Sequence, residues 1–116
     1  MKNISNIPGL SKSEVLAINI FSSECKDILR TNLIDIKLYG SKTKGTSDFE
    51  SDIDILIITK MISKEQKDLI FSVVTDINLD YDVLIIPIIT ESNVYNSPLS
   101  QETYFYKTTQ EEGISL

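Results

Sequence analysis

The sequence contains no histidine and no tryptophan, and its 116 residues include a single cysteine, Cys25. The absence of histidine excludes a histidine general base, a histidine-ligated zinc site and a Ser-His-Asp triad. One cysteine cannot build a disulfide framework or a cysteine-based metal site, and such sparing use is typical of a reducing cytoplasm. Any catalytic chemistry must therefore come from carboxylates, hydroxyls, lysines and backbone groups.

Positive charge is also scarce, because 11 lysines and arginines face 17 aspartates and glutamates, for a net charge of −6. This balance argues against binding of a long nucleic acid, which needs a basic surface. No apolar run reaches the ~18 residues of a membrane span, and the N-terminus has no signal-peptide pattern. We therefore expect a cytoplasmic protein with one domain over residues 1–116, in which residues 1–10 form a loose lead-in.

Helices and strands alternate along the chain, which predicts an α/β (α+β) domain. Two capping boxes, Ser11-x-x-Glu14 and Ser63-x-x-Gln66, open helices that we expect over 11–32 and 63–78. Cys25 lies on the apolar stripe of the first helix, and we interpret it as a buried small residue rather than a reactive thiol. Pro87 lacks an N–H and marks a sheet edge or a bulge. The other expected elements are strands over 34–39, 52–58 and 79–89, a loop over 91–100, and a helix over 101–112 ended by Gly113 as a C′ residue.

Two aspartates open the second strand, in the order Asp52-x-Asp54, and four apolar residues follow them directly. Side chains alternate along a strand, so Asp52 and Asp54 share one face with Cα atoms roughly 6 to 7 Å apart. Two carboxylates this close repel each other and lose hydration at the entry to a buried strand. A shared divalent cation relieves that repulsion, and Mg²⁺ suits the site because it binds carboxylates together with substrate phosphates.

The first strand ends in Gly40-Ser41, and a polar segment follows it. A strand that turns sharply into a helical turn at this dipeptide presents backbone N–H groups to solvent, which suits a phosphate. Glycine allows the phosphate to approach the backbone, and the serine hydroxyl adds a donor. An anion cradle beside a carboxylate pair is what nucleotidyl transfer from a triphosphate requires.

Gly40-Ser41, ten intervening residues and then Asp52-x-Asp54 resemble the signature of the nucleotidyltransferase superfamily typified by DNA polymerase β. The short chain is similar to its minimal members, some of which are antitoxins of HEPN-domain toxins. The resemblance implies the nucleotidyltransferase fold, with a small mixed β-sheet flanked by helices. It covers about half of the chain, because the third strand and the C-terminal tail resemble these proteins as well.

The resemblance also implies a set of functional residues. Two Mg²⁺ ions would be held by Asp52, Asp54 and a third carboxylate, for which Asp82 matches best and Asp80 is the alternative. Gly40 and Ser41 would grip the terminal phosphates of a nucleoside triphosphate, with ATP as the default. Lys44 stands where many minimal members carry arginine and is a candidate phosphate contact, whereas Lys42 is more readily interpreted as a solvated surface lysine.

The acceptor of the nucleotide is not specified by these motifs. Larger members of the superfamily carry a second domain for the acceptor, and 116 residues leave no room for one. Our first hypothesis is transfer of AMP to a side-chain hydroxyl of a HEPN-type toxin, with this chain as the antitoxin. A second is a small-molecule, antibiotic-type nucleotidyltransferase that acts as a homodimer. A third is a module that binds a nucleotide or a partner without catalysis.

Overall fold

The computed structural model describes residues 4–44 and 52–116, with Lys44 described by its backbone alone. Four strands form one sheet in the order β3-β2-β1-β4. Strand β2 runs antiparallel to β1 and parallel to β3, and β4 runs antiparallel to β1. This mixed sheet with flanking helices confirms the predicted fold class. The strands are β1 (Leu33–Tyr39), β2 (Ile53–Thr59), β3 (Ile85–Glu91) and β4 (Ile114–Ser115).

Two long helices, α1 (Lys12–Leu29) and α2 (Lys64–Tyr81), pack against one face of the sheet and against each other. Both predicted capping boxes are present, and each serine side chain accepts a hydrogen bond from the backbone N–H three residues later. The apolar stripe of α1 is buried at Ile18, Phe21, Cys25 and Leu29, whereas Leu69 of α2 is 53% exposed. The largest apolar cluster lies here and includes Ala17, Ile18, Phe21, Cys25, Leu29, Ile36, Leu38, Ile70, Val74 and Ile77.

Strand β2 divides its side chains between the two faces of the sheet. Ile53, Ile55 and Ile57 belong to the cluster beneath the two long helices. Leu56 and Ile58 belong to a second, smaller cluster on the opposite face. Asp54 has the same parity as Leu56 and therefore lies on that opposite face, which we call the site face.

Three short helices cover part of the site face: α3 (Ser92–Tyr95), α4 (Pro98–Gln101) and α5 (Tyr104–Glu112). The prediction of a loop over 91–100 is therefore wrong. Ser97 caps α4 by accepting from the Ser100 N–H, and Pro98 occupies its first turn, where a missing N–H costs nothing. Tyr95, Phe105 and Tyr106 pack on the smaller cluster of β2.

The boundary between α2 and β3 lies later than expected, so the prediction of a strand beginning at residue 79 is wrong. Helix α2 continues through Tyr81, and the Ser13 hydroxyl donates to the carbonyl of Tyr81 at 2.8 Å. The Asn78 amide then binds both backbone groups of Ile85, the first residue of β3. Pro87 lies on β3, which is an edge strand, as predicted.

The segment before α1 is packed more closely than its polar composition suggests. Residues Ile4–Asn6 form a 3₁₀ turn, and Ile4 is 1% exposed within the large cluster. Cys25 is fully buried, and burial, with the nearby charge of Glu24, raises the pKa of its thiol to about 12. This agrees with the structural interpretation of the cysteine. None of the helices in the described ranges has the length and apolar character needed to cross a membrane.

Candidate active site

The end of β1 forms the sharp corner that the sequence predicts. Gly40 has φ of +83°, a left-handed conformation that favours glycine, and a 3₁₀ turn over Ser41–Lys44 begins directly after it. Thr43 closes the turn, because its N–H and its hydroxyl donate to the Gly40 carbonyl at 3.1 and 2.7 Å. Ser41 is exposed at the start of this turn. A phosphate can therefore approach the corner from solvent.

Asp54 lies directly against this corner. A Cβ atom placed on Gly40 would stand 2.5 Å from Oδ2 of Asp54, which is closer than real Cβ contacts come. Antiparallel pairing explains the contact, since Asp54 of β2 is the register partner of Tyr39, the residue before the glycine. Gly40 is thus required both by its backbone angle and by the carboxylate beside it. The structure brings the predicted phosphate corner and one predicted metal ligand together.

The Asp52–Asp54 pair carries the electrostatic repulsion expected of a cation site. Burial raises the pKa of Asp54 above its ordinary value, and the negative charge of Asp52 raises it further. Asp52 is exposed just before β2, and Asp54 is half-buried. Within the described ranges no lysine or arginine forms a salt bridge with either carboxylate. Two carboxylates with such chemistry fit a divalent metal such as Mg²⁺.

Asp82, the candidate third carboxylate, does not lie on a strand as the sequence suggests. Asp82 is the C-terminal cap of α2, with left-handed φ and ψ of 51°, and its residue is exposed. Asp80 lies in the last turn of α2. Among the residues described, no three acidic, cysteine or histidine side chains are grouped so that they could hold a metal ion. The structure therefore pairs Asp52 with Asp54 and does not add Asp82 to them, so the third ligand stays a prediction.

Lys42 is the site residue whose environment the sequence does not reveal. It was interpreted as a surface lysine, but it is 0% exposed and its Nζ lies 2.6 Å from Oε2 of Glu14. Glu14 is itself 4% exposed, and its other carboxylate oxygen accepts the Ser11 N–H of the capping box. The ion pair thus ties the turn after Gly40 to the first turn of α1. The sequence feature that could have indicated a buried partner for Lys42 is Glu14, the glutamate of the capping box, whose side chain faces inward.

Of the remaining predicted residues, Lys44 ends the 3₁₀ turn, and its side chain lies outside the described part of the structure. The rest of the polar segment after Gly40-Ser41, residues 45–51, lies outside it as well. Tyr39 faces the site beside Asp54, and burial, followed by the charge of Asp54, raises its pKa to about 12. The Tyr39 phenol therefore stays neutral near neutral pH.

A pocket of about 410 Å³ lies between the corner and helix α5. One wall consists of Tyr39, Gly40 and Ser41. The other wall is one face of α5, formed by Tyr104, Phe105, Thr108, Thr109 and Glu112. The rings of Tyr39 and Phe105 meet edge to face, with centroids 5.5 Å apart.

Helix α5 is held in place by a polar network centred on Thr109. The Thr109 hydroxyl contacts the Tyr95 hydroxyl at 2.5 Å, and Nζ of Lys37 donates to the Thr109 carbonyl at 3.3 Å. Gly113 caps α5 in an extended conformation with φ of −64°, not in the left-handed one expected of a C′ glycine. It is crowded instead, because a Cβ there would collide with the Thr109 carbonyl oxygen.

Comparison with known proteins identifies the family. The model of the nucleotidyltransferase domain family matches residues 18–115, which include the corner, the aspartate pair and the C-terminal helix. The chain belongs to the nucleotidyltransferase domain family. This nucleotidyltransferase accordingly belongs to a family of enzymes, and its candidate residues Gly40 and Asp54 lie against each other.

Curated relatives come from Methanocaldococcus jannaschii. The chain is 36% identical over 81 residues to the protein named "Putative protein adenylyltransferase MJ0141", which covers 69% of this chain and 82% of the relative. It is 31% identical over 101 residues to "Putative protein adenylyltransferase MJ0604", which covers 87% of this chain and 95% of the relative. The names of both relatives describe transfer of an adenylyl group to protein.

Proposed function

We propose that this nucleotidyltransferase transfers AMP from ATP to a hydroxyl group of a protein. The observation that carries the proposal is the contact between the Gly40 corner and Asp54. It supports the proposal because backbone N–H groups at such a corner suit a phosphate and a carboxylate beside them suits a metal. The names of the relatives support adenylyl transfer and a protein acceptor. Resemblance to the minimal members of the superfamily supports a HEPN-type toxin as that acceptor, with this chain as its antitoxin.

In this proposal the residues of the site have separate tasks. The backbone N–H groups after Gly40 and the Ser41 hydroxyl bind the β- and γ-phosphates. Asp52 and Asp54 would hold Mg²⁺, with Asp82 as the third carboxylate. The two Mg²⁺ ions, when bound, would supply positive charge that stabilises the transition state and would lower the pKa of the acceptor hydroxyl.

The acceptor oxygen forms a bond to the α-phosphorus, and the bond from that phosphorus to the bridging oxygen of the β-phosphate breaks. The hydroxyl proton passes to a carboxylate, which we assign to Asp82 by resemblance, and pyrophosphate leaves from the corner. Attacking and leaving oxygens are roughly in line in such displacements.

The experiment that tests the proposal uses ATP labelled at the α-phosphate, Mg²⁺ and the product of the adjacent reading frame as acceptor. We expect the wild-type protein to label that acceptor, and the double variant Asp52→Asn, Asp54→Asn to lose at least about a thousandfold in rate. Asp76→Asn, an exposed aspartate of α2, is the matched control and should keep full activity. Transfer that survives the double change contradicts the metal assignment.

The same assay separates the other hypotheses. Label on a co-purified small molecule, and not on the protein, would favour the hypothesis of a small-molecule, antibiotic-type nucleotidyltransferase. If the double variant transfers no label but still neutralises a toxin, the result would favour a binding module without catalysis. Asp80→Asn and Asp82→Asn form a matched pair of exposed aspartates, and loss of transfer in only one of them identifies the third carboxylate.

A further inference from the structure

Strand β3 exposes an apolar face directly beside the carboxylate pair. Leu84, Ile86 and Ile88 are 50%, 38% and 39% exposed. The parallel register aligns Ile86 with Asp54 and Ile88 with Leu56, and the Ile53 N–H donates to the Leu84 carbonyl just before β3. Strand alternation therefore places all three side chains on the site face. Such a stripe on a small protein usually marks a contact surface.

The in-line geometry of the proposed reaction indicates the side from which the acceptor approaches the site. The strand order places the Gly40 corner at the end of β1, Asp54 on β2 and the apolar stripe on β3. Pyrophosphate leaves toward the corner, which lies on the β1 side of the carboxylates. The attacking hydroxyl must then approach from the opposite side, over β3. This geometry brings the acceptor onto the exposed apolar face.

Addition of a further β-strand to the edge of β3 is disfavoured by its own residues. The Asn78 amide occupies both outward-facing backbone groups of Ile85, at 2.9 and 3.1 Å. Pro87, two residues later, has no N–H to offer a new strand. Contact must therefore be made through the side-chain face rather than through the edge, which is how many proteins guard an exposed edge strand.

Charge around the stripe defines the chemistry of the partner. Asp52, Asp80 and Asp82 are exposed at the end of the sheet where β3 begins, and the whole chain carries a net charge of −6. An apolar contact with an acidic rim selects a partner whose apolar segment is flanked by lysine or arginine. A partner with an acidic rim would be repelled.

We infer that the apolar face of Leu84, Ile86 and Ile88 is the docking surface for the protein acceptor, which presents its hydroxyl next to an apolar segment with basic flanks. The inference rests on the proposed function and adds to it where the acceptor binds and what its chemistry is. Ile86 is the register partner of Asp54, so Leu84 and Ile88 are the residues to change.

The test uses synthetic peptides that carry serine, threonine or tyrosine beside a leucine pair, with either arginine or glutamate at both flanks. AMP transfer from α-labelled ATP is measured for the wild type and for Leu84→Ser plus Ile88→Ser. Leu69→Ser plus Phe71→Ser is the matched control, because these residues of α2 are 53% and 47% exposed on the opposite side of the sheet. Mg·ATP affinity and thermal unfolding are measured for each protein.

We expect arginine-flanked peptides to be preferred, and the β3 variant to raise their KM by about tenfold while Mg·ATP affinity stays unchanged. The control variant should leave KM unchanged. An unchanged KM in the β3 variant, an equal rise in the control, or preference for glutamate flanks overturns the docking surface alone. Failure of the wild type to bind Mg·ATP would instead overturn the proposed function, and this inference with it.

Sedimentation of the same proteins addresses a second copy of the chain as the occupant. If the stripe is a dimer interface, the wild type sediments as a dimer and the Leu84→Ser, Ile88→Ser variant as a monomer, which overturns the inference. A wild type that remains monomeric until the arginine-flanked peptide is added, and binds it in the stoichiometry of one to one, supports it.

Discussion

The two faces of the sheet differ in how completely they are covered. Beneath α1 and α2 the side chains of β1 and β2 form a closed apolar cluster, in which Phe21, Leu38 and Ile55 are 0% exposed. Among the described residues of the site face, only Leu56, Ile58 and Tyr95 are buried in an apolar cluster, and β3 stays open. The two long helices thus provide the bulk of the stability, while the other face can carry charge and accept ligands.

The Lys42–Glu14 pair connects these two regions. It joins the turn after the Gly40 corner, which belongs to the candidate site, to the start of α1, which belongs to the core layer. A buried ion pair is costly to break, because the remaining charge loses its counterion and has little access to water. The position of the corner is therefore coupled to the stability of the core layer.

The largest expected effect is a loss of stability when an aromatic side chain is removed, and it should differ between the two faces of the sheet. Phe21→Ala leaves a cavity in the closed cluster and should lower the free energy of unfolding by about 3–5 kcal/mol. Phe105→Ala, at a half-buried residue on the site face, should cost about half as much. Denaturant unfolding of both variants checks the comparison, and equal losses would show that the faces contribute alike.

Breaking the connection between the faces should have the next largest effect. Lys42→Met leaves Glu14 buried without its cation and should cost about 3 kcal/mol. Lys64→Met is the matched control, since Lys64 forms a 2.9 Å pair with Asp68 that is fully on the surface and should change stability by less than about 0.5 kcal/mol. Adding Glu14→Gln to Lys42→Met should recover part of the loss, and no recovery would contradict a dominant role of the ion pair.

Altering the corner should cost less stability but should change the site. Gly40→Ala forces a side chain into a left-handed backbone, at about 1–2 kcal/mol, and displaces the Asp54 carboxylate. We expect weaker binding of Mg·ATP by isothermal titration calorimetry. Gly9→Ala is the control, because Gly40 is the only glycine with positive φ in the described ranges. Unchanged Mg·ATP affinity in Gly40→Ala would argue against a phosphate at this corner.

The smallest expected effect is a gain in stability on the site face. The pKa of Asp54 is raised in the folded protein, so the folded state binds its proton more readily than the unfolded chain, and stability rises as pH falls toward that pKa. Asp54→Asn should remove this pH dependence and raise Tm by a few degrees at neutral pH without metal. Mg²⁺ should raise the Tm of the wild type only. A lower Tm for the variant would contradict repulsion within the pair.

Sequence patterns predicted most of the architecture because their causes are local. The capping boxes of Ser11 and Ser63, the buried stripe of α1 and the edge position of Pro87 follow from neighbouring residues and backbone chemistry. The start of β3 was predicted too early, since Leu79, Asp80 and Tyr81 suit either a strand or a helix end. The long-range bonds of Tyr81 to Ser13 and of Asn78 to Ile85 select the helix.

The sequence by itself determined the family, the glycine–serine corner and the shared face of Asp52 and Asp54, because spacing along a strand fixes which side chains lie together. Only the tertiary structure decided that Asp54 rests against Gly40, that Lys42 is buried against Glu14, and that Asp82 caps a helix instead of standing on a strand. Each of these contacts joins residues from different elements or depends on where an element ends. Such contacts are set by how the whole sheet and its helices pack, which no local pattern records.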